Sequence, residues 1–234
     1  MLPRSLTHSI QMPAAFVRVE VQGKGYGLIA ARNIPRGELI LEESPILIHS
    51  GDNLTEASLR TALRGLSSRD SAAFWSLSNS WLGHGMSPRK GIWLTNAIPC
   101  GAPNDPDGER DNLEGIFPIA SRFNSSCMPN VFPWWEACSQ KLAIRAVRDI
   151  AIGEELCVSY IDVLMPHRDR AGTLRMAYNF ECHCTACSFN GADLVRSNHN
   201  RGMTDRIIQR AMEVEGLAFY PCIGLMLVSN ICVV

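Results

Sequence analysis

Apolar and polar side chains alternate along Phe-Val-Arg-Val-Glu-Val at residues 16–21, the period of a half-buried strand. Three glycines break the pattern within residues 22–27, and residues 28–31 resume as a short apolar run. Residues 33–37 read as a turn and 38–42 as another strand, so the first 50 residues predict short strands and tight turns. The period then changes. Leu59, Leu63 and Leu66 recur at helical spacing behind a capping segment at 53–56, and residues 71–77 predict a second helix. Residues 83–112 are rich in Gly, Pro, Asn and Asp and read as loop around one apolar island at 91–94, with 103–111 fully solvated. Alternation returns from Gly115, is clearest over 141–147, and recurs as a strand at 155–160 after a turn at 149–153. Residues 166–179 predict a helix with Arg168, Arg170 and Arg175 on its polar side, and a further helix is expected near 203–215. One unit repeats: residues 32–39 echo residues 148–156, through true recurrence or through ordinary hairpin chemistry.

At 234 residues the chain suits one large domain or one and a half ordinary ones. An apolar fraction of 46% with 19% charged residues is that of a folded soluble protein. Net charge is −1, so no basic stripe marks a nucleic-acid footprint, and Arg145 and Arg148 read as solvated faces. Residues 1–16 lack the continuous apolar core of a secretory leader, which predicts an intracellular protein, cytoplasmic or nuclear. Residues 216–234 carry no charge over a span long enough to cross a bilayer. Pro221, Gly224, Ser229 and Asn230 interrupt that span, so a buried helix or an unnatural chain end is expected, with a membrane anchor as the alternative.

Nine cysteines is a high count for a reducing compartment, and it directs attention to metal. Cys182, Cys184 and Cys187 place three thiols within six residues, and Cys127 sits alone in an Asn-rich turn stiffened by Pro129. Together they supply the four sulfurs of a closed tetrahedral zinc site, with a disulfide or an unliganded cluster as the alternative. Cys100, Cys138, Cys157, Cys222 and Cys232 lack ligand spacing and read as packing thiols, and His183 reads as exposed. Tyr160 ends a strand-like run and is either a functional residue or part of the core.

Four segments occur in a telling order: Gly23-Lys24-Gly25-Tyr26-Gly27-Leu28, Arg122-Phe123-Asn124-Ser125-Ser126-Cys127-Met128-Pro129-Asn130, Gly153-Glu154-Glu155-Leu156 leading to Tyr160-Ile161-Asp162, and Asn179-Phe180-Glu181-Cys182-His183-Cys184-Thr185-Ala186-Cys187. In that order they resemble the SET-domain protein lysine methyltransferases with a zinc-binding post-SET segment. In particular they resemble the SET-and-MYND type, without a MYND finger in the 50–112 insert. The resemblance implies a β-rich α+β fold of small curved sheets with pseudoknot-like C-terminal threading. It divides the chain into a SET domain at 14–162, a post-SET zinc segment at 163–190 and a helical tail at 191–234.

The same resemblance implies S-adenosyl-L-methionine and zinc as cofactors, and a lysine of a histone or non-histone protein as substrate. Neither direct nucleic-acid binding nor a membrane is expected, and the chain is expected to be a monomer. Lys24, Gly25, Tyr26, Asn96, Asn124, Ser125, Tyr160 and Phe180 become cofactor contacts. Tyr160 and Tyr178 become the catalytic tyrosines, and Cys127, Cys182, Cys184 and Cys187 the zinc ligands. The physical reasons are legible beside the likeness. Glycine lets backbone groups approach a ligand closely, and an Asn amide both donates and accepts. Ser125 stands where the family motif has histidine, and that departure motivates the rival reading of an inactive SET-fold binding module.

Overall fold

In the computed structural model, residues 14–101 and 112–215 are described. The opening alternation forms a hairpin of Phe16–Val21 (β1) and Gly25–Ala30 (β2), paired antiparallel from Phe16 opposite Ala30 to Val21 opposite Gly25. The chain continues through Leu39–Glu43 (β3) and Leu47–Ser50 (β4) into three short helices, Glu56–Arg64 (α1), Ser68–Trp75 (α2) and Pro88–Asn96 (α3). Thr55 and Ser58 cap α1 reciprocally, each side chain bonding the other's backbone N–H. Ile98–Pro99 (β5), Leu113–Ile116 (β6), Asn124–Ser125 (β7), Val131–Glu136 (β8), Lys141–Ala146 (β9) and Cys157–Val158 (β10) follow. His167–Tyr178 (α4) and Gly191–Glu215 (α5) flank a single 3₁₀ turn at Thr185–Cys187.

Among the described residues the strands form four small sheets: β1-β2, β3-β9-β8, β4-β6-β5 and the parallel pair β7-β10. This is the expected β-rich α+β architecture. The main core joins Leu28, Ile34, Phe117, Phe123, Ile144 and Leu156 between the sheets. A second core of Leu59, Phe74, Ile92 and Trp93 lies under the helical insert and reaches Ile116 of β6. A third, of Cys127, Leu174 and Ala186, joins the central turn to α4 and the cysteine segment.

Several expectations are corrected. Residues 88–96, read as loop around the island at 91–94, form α3, which buries Gly91, Ile92 and Trp93. Pro88 opens the helix at a position that needs no N–H, and Ser87 caps it. The strand expected at 155–160 pairs as a strand only over Cys157–Val158, because Glu155 bridges to β2 first and the chain then turns to β7. Arg170 is fully buried within α4, with Nη1 donating to the Met165 carbonyl at 2.6 Å. The last helix begins at Gly191, well before residue 203. Cys100 and Cys157 are buried as packing thiols, whereas Cys138 is exposed. The loop expected at 103–111, the uncharged tail at 216–234, Cys222 and Cys232 lie outside the described residues. No described helix is long and apolar enough to cross a membrane.

The repeated unit is a true recurrence, and its two copies pair with each other. Ile34 and Ile150 exchange backbone hydrogen bonds of 2.9 and 2.8 Å. The Arg36 N–H donates to Asp149 Oδ1 at 2.8 Å, and the Ile152 N–H donates to Asn33 Oδ1 at 2.9 Å. Gly37 donates to the Ala146 carbonyl while Gly153 donates to that of Ala30, both at 2.8 Å. Arg32 pairs with Glu38 as Arg148 pairs with Glu154. Each contact has a counterpart with partners exchanged, as a local two-fold axis requires. Both turns need glycine, since Gly37 and Gly153 each have a φ of 86°. Neither has a neighbour within 4 Å of an added Cβ, so backbone strain alone decides a substitution. Gly37→Ala and Gly153→Ala should therefore each lower unfolding stability by about 1–2 kcal/mol. Urea denaturation will check this, and a neutral substitution at either position contradicts equivalence of the turns.

Candidate functional site

The site is built on β7 and β10. Their parallel pairing sets Asn124 beside Cys157 and Ser125 beside Val158, and the chain beyond Val158 delivers Tyr160. Ser125 is buried, and its Oγ accepts the Tyr160 backbone N–H at 3.3 Å. The Tyr160 hydroxyl donates to the Phe123 carbonyl at 2.8 Å, and the Tyr178 hydroxyl donates to the Tyr160 carbonyl at 3.2 Å. The two rings lie 5.0 Å apart at 40°, and Phe180 meets Tyr160 edge-on at 6.4 Å. Burial, and then the neighbouring Tyr178, pushes the Tyr160 phenol above its ordinary pKa. Burial also raises Tyr178.

A polar triad sits beside these rings. Asn124 Nδ2 donates to Glu155 Oε1 at 2.8 Å, and Lys24 Nζ reaches Glu155 Oε2 at 2.6 Å. Burial is the largest single influence on Lys24 and works against its ammonium, but the Glu155 hydrogen bond and the nearby negative charges together outweigh it and raise the lysine pKa. Gly27 makes the triad possible. A Cβ there would stand 2.6 Å from Asn124 Nδ2 and 3.1 Å from Glu155 Oε1.

The insert supplies the facing wall. Asn96 Nδ2 donates to the Ser78 and Ile92 carbonyls, each at 2.7 Å. Thr95 Oγ1 accepts the Ser80 N–H at 3.1 Å. Between the walls lies a cavity of about 620 Å³, within the range of small-molecule sites. Lys24, Tyr26, Asn96, Asn124, Ser125, Tyr160, Tyr178 and Phe180 all line it. Gly25 is not among its lining residues; it shapes the turn with a φ of 74°. Asn96 turns its amide N–H groups to backbone carbonyls, so part of its capacity is structural. Sequence reasoning missed Ser78, Ser80, Thr95 and Ser121 in the lining, and gave Glu155 no role. The polar run Ser78-Asn79-Ser80 directly after an apolar helix was the available signal.

Cys182 and Cys184 form part of the cavity wall from behind. With Cys127 and Cys187 they hold four sulfurs within 4.8 Å of one another. A tetrahedral zinc with bonds of about 2.3 Å would set its sulfurs about 3.8 Å apart. Cys127 and Cys187 stand at 3.5 Å, near that separation and far from a disulfide. Hydrogen bonding among the four sulfurs lowers Cys184 and Cys182 below the usual thiol range, Cys182 to about 6, and raises Cys127 and Cys187 above it. His183 is exposed and stands outside the cluster.

Small sheets, a cavity beneath the β7–β10 crossing and a cysteine cluster behind it define one class of protein. Residues 25–161 match the family model of the SET domain, and the chain belongs to that family. It is 31% identical over 170 residues to the histone-lysine N-methyltransferase set5 of Schizosaccharomyces pombe, covering 73% of this chain and 49% of that protein. It is 38% identical to the N-lysine methyltransferase SMYD2-B of Danio rerio, over 45% of this chain and 24% of that one. Its identity to the histone-lysine N-methyltransferase SMYD3 of Homo sapiens is 42%, over 34% of this chain and 18% of that one. The chain thus spans half or less of each of these relatives.

Gly27→Ala should cost about 2 kcal/mol of stability, because the new methyl group must displace Asn124 or Glu155. Gly23→Ala carries only turn strain, since nothing lies within 4 Å of its added Cβ. Chemical denaturation of the two variants, with crystallography of Gly27→Ala, will check this. An unmoved Asn124–Glu155 pair contradicts the packing argument.

Proposed function

We propose that this chain is an S-adenosylmethionine-dependent protein-lysine N-methyltransferase. The observation that carries the reading is one cavity joining Lys24, Asn124, Tyr160, Tyr178 and Phe180, residues far apart in the chain. The printed names of its relatives, histone-lysine and N-lysine methyltransferases, support the same reading. Ser125 fits it too: the serine is buried and its Oγ takes the Tyr160 N–H, so it helps to place the tyrosine.

The residues present suit the cofactor chemically. Lys24 offers a cation for a carboxylate, Asn124 an amide for an amino-acid head group, and Phe180 an apolar face for adenine. When bound, S-adenosylmethionine supplies an electrophilic methyl group on a sulfonium. The remaining work falls to the protein. A lysine amine with a reference pKa of about 10.4 is almost wholly protonated at neutral pH. The desolvated part of the cavity beside Tyr160 and Tyr178 favours its neutral form. The raised pKa of Tyr160 keeps its phenol neutral, so it orients the amine and does not remove its proton. Its hydroxyl hydrogen is committed to the Phe123 carbonyl, which leaves the oxygen lone pairs to accept an amine N–H. The rate then comes largely from positioning.

Zinc suits the four thiols in number and spacing. Cys127, Cys182, Cys184 and Cys187 would hold it as a structural site and tie the central turn to the segment bearing Tyr178 and Phe180. Metal binding would then count as folding energy for that wall. The substrate is a protein lysine, of a histone or another protein.

A radiolabelled methyl-transfer screen against cell lysate tests the activity, with labelling expected on protein lysine; no transfer by zinc-loaded, folded protein overturns it. Tyr160→Phe should lower the transfer rate about 100-fold or more through lost alignment of the amine, with cofactor affinity nearly unchanged by calorimetry. Full activity in that variant would remove Tyr160 from the mechanism. Cys184→Ser should reduce bound zinc from one per chain, measured by atomic emission; unchanged stoichiometry refutes the four-thiolate site.

A further inference from the structure

Asn179 lies between Tyr178 and Phe180, the two aromatic residues that form one wall of the cavity. It caps the C-terminus of α4 in the left-handed conformation, with φ 57° and ψ 39°. That conformation turns the chain from the helix into the cysteine segment and is tolerated by asparagine better than by most residues. The side chain reaches across to the insert. Its Nδ2 donates to the Ser80 carbonyl at 2.8 Å and lies 3.0 Å from His84 Nε2. An amide nitrogen only donates, so His84 Nε2 is the acceptor and the imidazole carries its proton on Nδ1.

Both acceptors are held in place for this contact. Ser80 is bound to α3 through Thr95, whose Oγ1 accepts the Ser80 N–H and donates to the Gly91 carbonyl at 2.7 Å. His84 is presented between Gly83 and Gly85, which have φ of 84° and 72°. The His84 N–H donates to the Trp81 carbonyl at 3.1 Å, and its ring meets the Trp81 ring edge-on at 6.1 Å. Three left-handed residues therefore converge on one hydrogen-bonded junction. Ser80, Thr95 and Asn96 line the cavity on one side of it, and Tyr178 and Phe180 on the other.

We propose that Asn179 is a clasp: a positioning residue that holds the insert wall against the Tyr178–Phe180 wall and so sets how tightly the cavity retains its cofactor. The proposal rests on the methyltransferase reading of the same cavity. Its physical basis is a population of closed walls. A site competent only when closed binds with an apparent Kd raised by the inverse of the closed fraction. Removing the two hydrogen bonds lowers that fraction, and saturating cofactor restores closure. Loss of the clasp therefore raises the cofactor Kd and KM and spares kcat. A residue that merely supported folding would lower stability and active fraction, without that split.

Asn179→Gly is the informative variant, because glycine accepts the left-handed backbone and deletes only the amide. Calorimetry and steady-state kinetics on the full chain should show the S-adenosylmethionine Kd and KM raised about ten-fold, with kcat at saturation within about two-fold. His84→Ala, an exposed change that leaves the α4 cap intact, should raise the Kd in the same direction by a smaller factor. His84→Gln, which keeps an acceptor, should restore it. The double variant Asn179→Gly/His84→Ala should bind no more weakly than Asn179→Gly alone. A wild-type-like Kd in both single variants overturns the clasp and leaves the methyltransferase reading standing. A wild-type chain that binds no S-adenosylmethionine overturns both.

Discussion

The Asn130 side chain is the constraint on which the site depends. The parallel ladder of β7 and β10 is two residues long, too short to hold itself. Asn130 replaces the missing ladder. Its Oδ1 accepts the Cys157 N–H at 2.8 Å, and its Nδ2 donates to the Glu155 carbonyl at 2.8 Å and to Glu154 Oε1 at 3.0 Å. Its backbone is committed as well, with its N–H bonded to Cys157 and its carbonyl accepting from Val147. With 2% exposure, these bonds face little competition from water and each partner would be costly to strand. The consequence extends in both directions along the chain. Upstream, Cys127, Ser125 and Asn124 are fixed; downstream, Glu155 and Tyr160 are fixed opposite them. The cysteine cluster, the tyrosine pair and the polar triad thus share one internal reference point.

Local patterns carried much of the scaffold. Alternation located β1, β3 and β9, and helical spacing with a capping residue located α1. These elements are set by neighbours close in sequence. The errors arose where local and tertiary signals diverged. Pro88 lies in a Gly- and Pro-rich stretch that reads as loop, yet proline at a first turn starts a helix. Arg170 looked like surface because arginine usually is, yet it shares the one buried face of α4 with Leu174. The strand at 155–160 had a plausible pattern, but its residues divide their hydrogen bonds between two different partner strands.

The candidate site was legible for a different reason. Four segments in order carried the family resemblance that marked Lys24, Asn124, Tyr160, Tyr178 and Phe180, and the four cysteines stood out by type and spacing. Eight of the predicted cofactor and catalytic residues line one cavity. Residues that hold these in place had no such signal. Glu155 supports Lys24 and Asn124 through charge and hydrogen bonding, and a glutamate just past a turn is ordinarily solvated. Ser78 and Ser80 enter the lining through a fold of the insert whose partners lie far along the chain.

The two-fold unit explains where the supporting residues come from. In the first copy, Glu38 pairs with Arg32, and the residue after it is the exposed Leu39. In the second, Glu154 keeps the equivalent pair with Arg148 and also accepts from Asn130. The residue after it is Glu155, which bonds Lys24 and Asn124. The scaffold is therefore symmetric up to the glycine turn and departs from symmetry one residue beyond the arginine–glutamate pair. That departure has a physical logic. A repeated turn crossed on itself provides a rigid base by mutual hydrogen bonding, with no dependence on the ligand. The second copy then extends from that base into the β7–β10 crossing, where a carboxylate in place of leucine can organise a cation and an amide. Rigidity comes from the shared half of the unit, and chemistry from the half that is not shared.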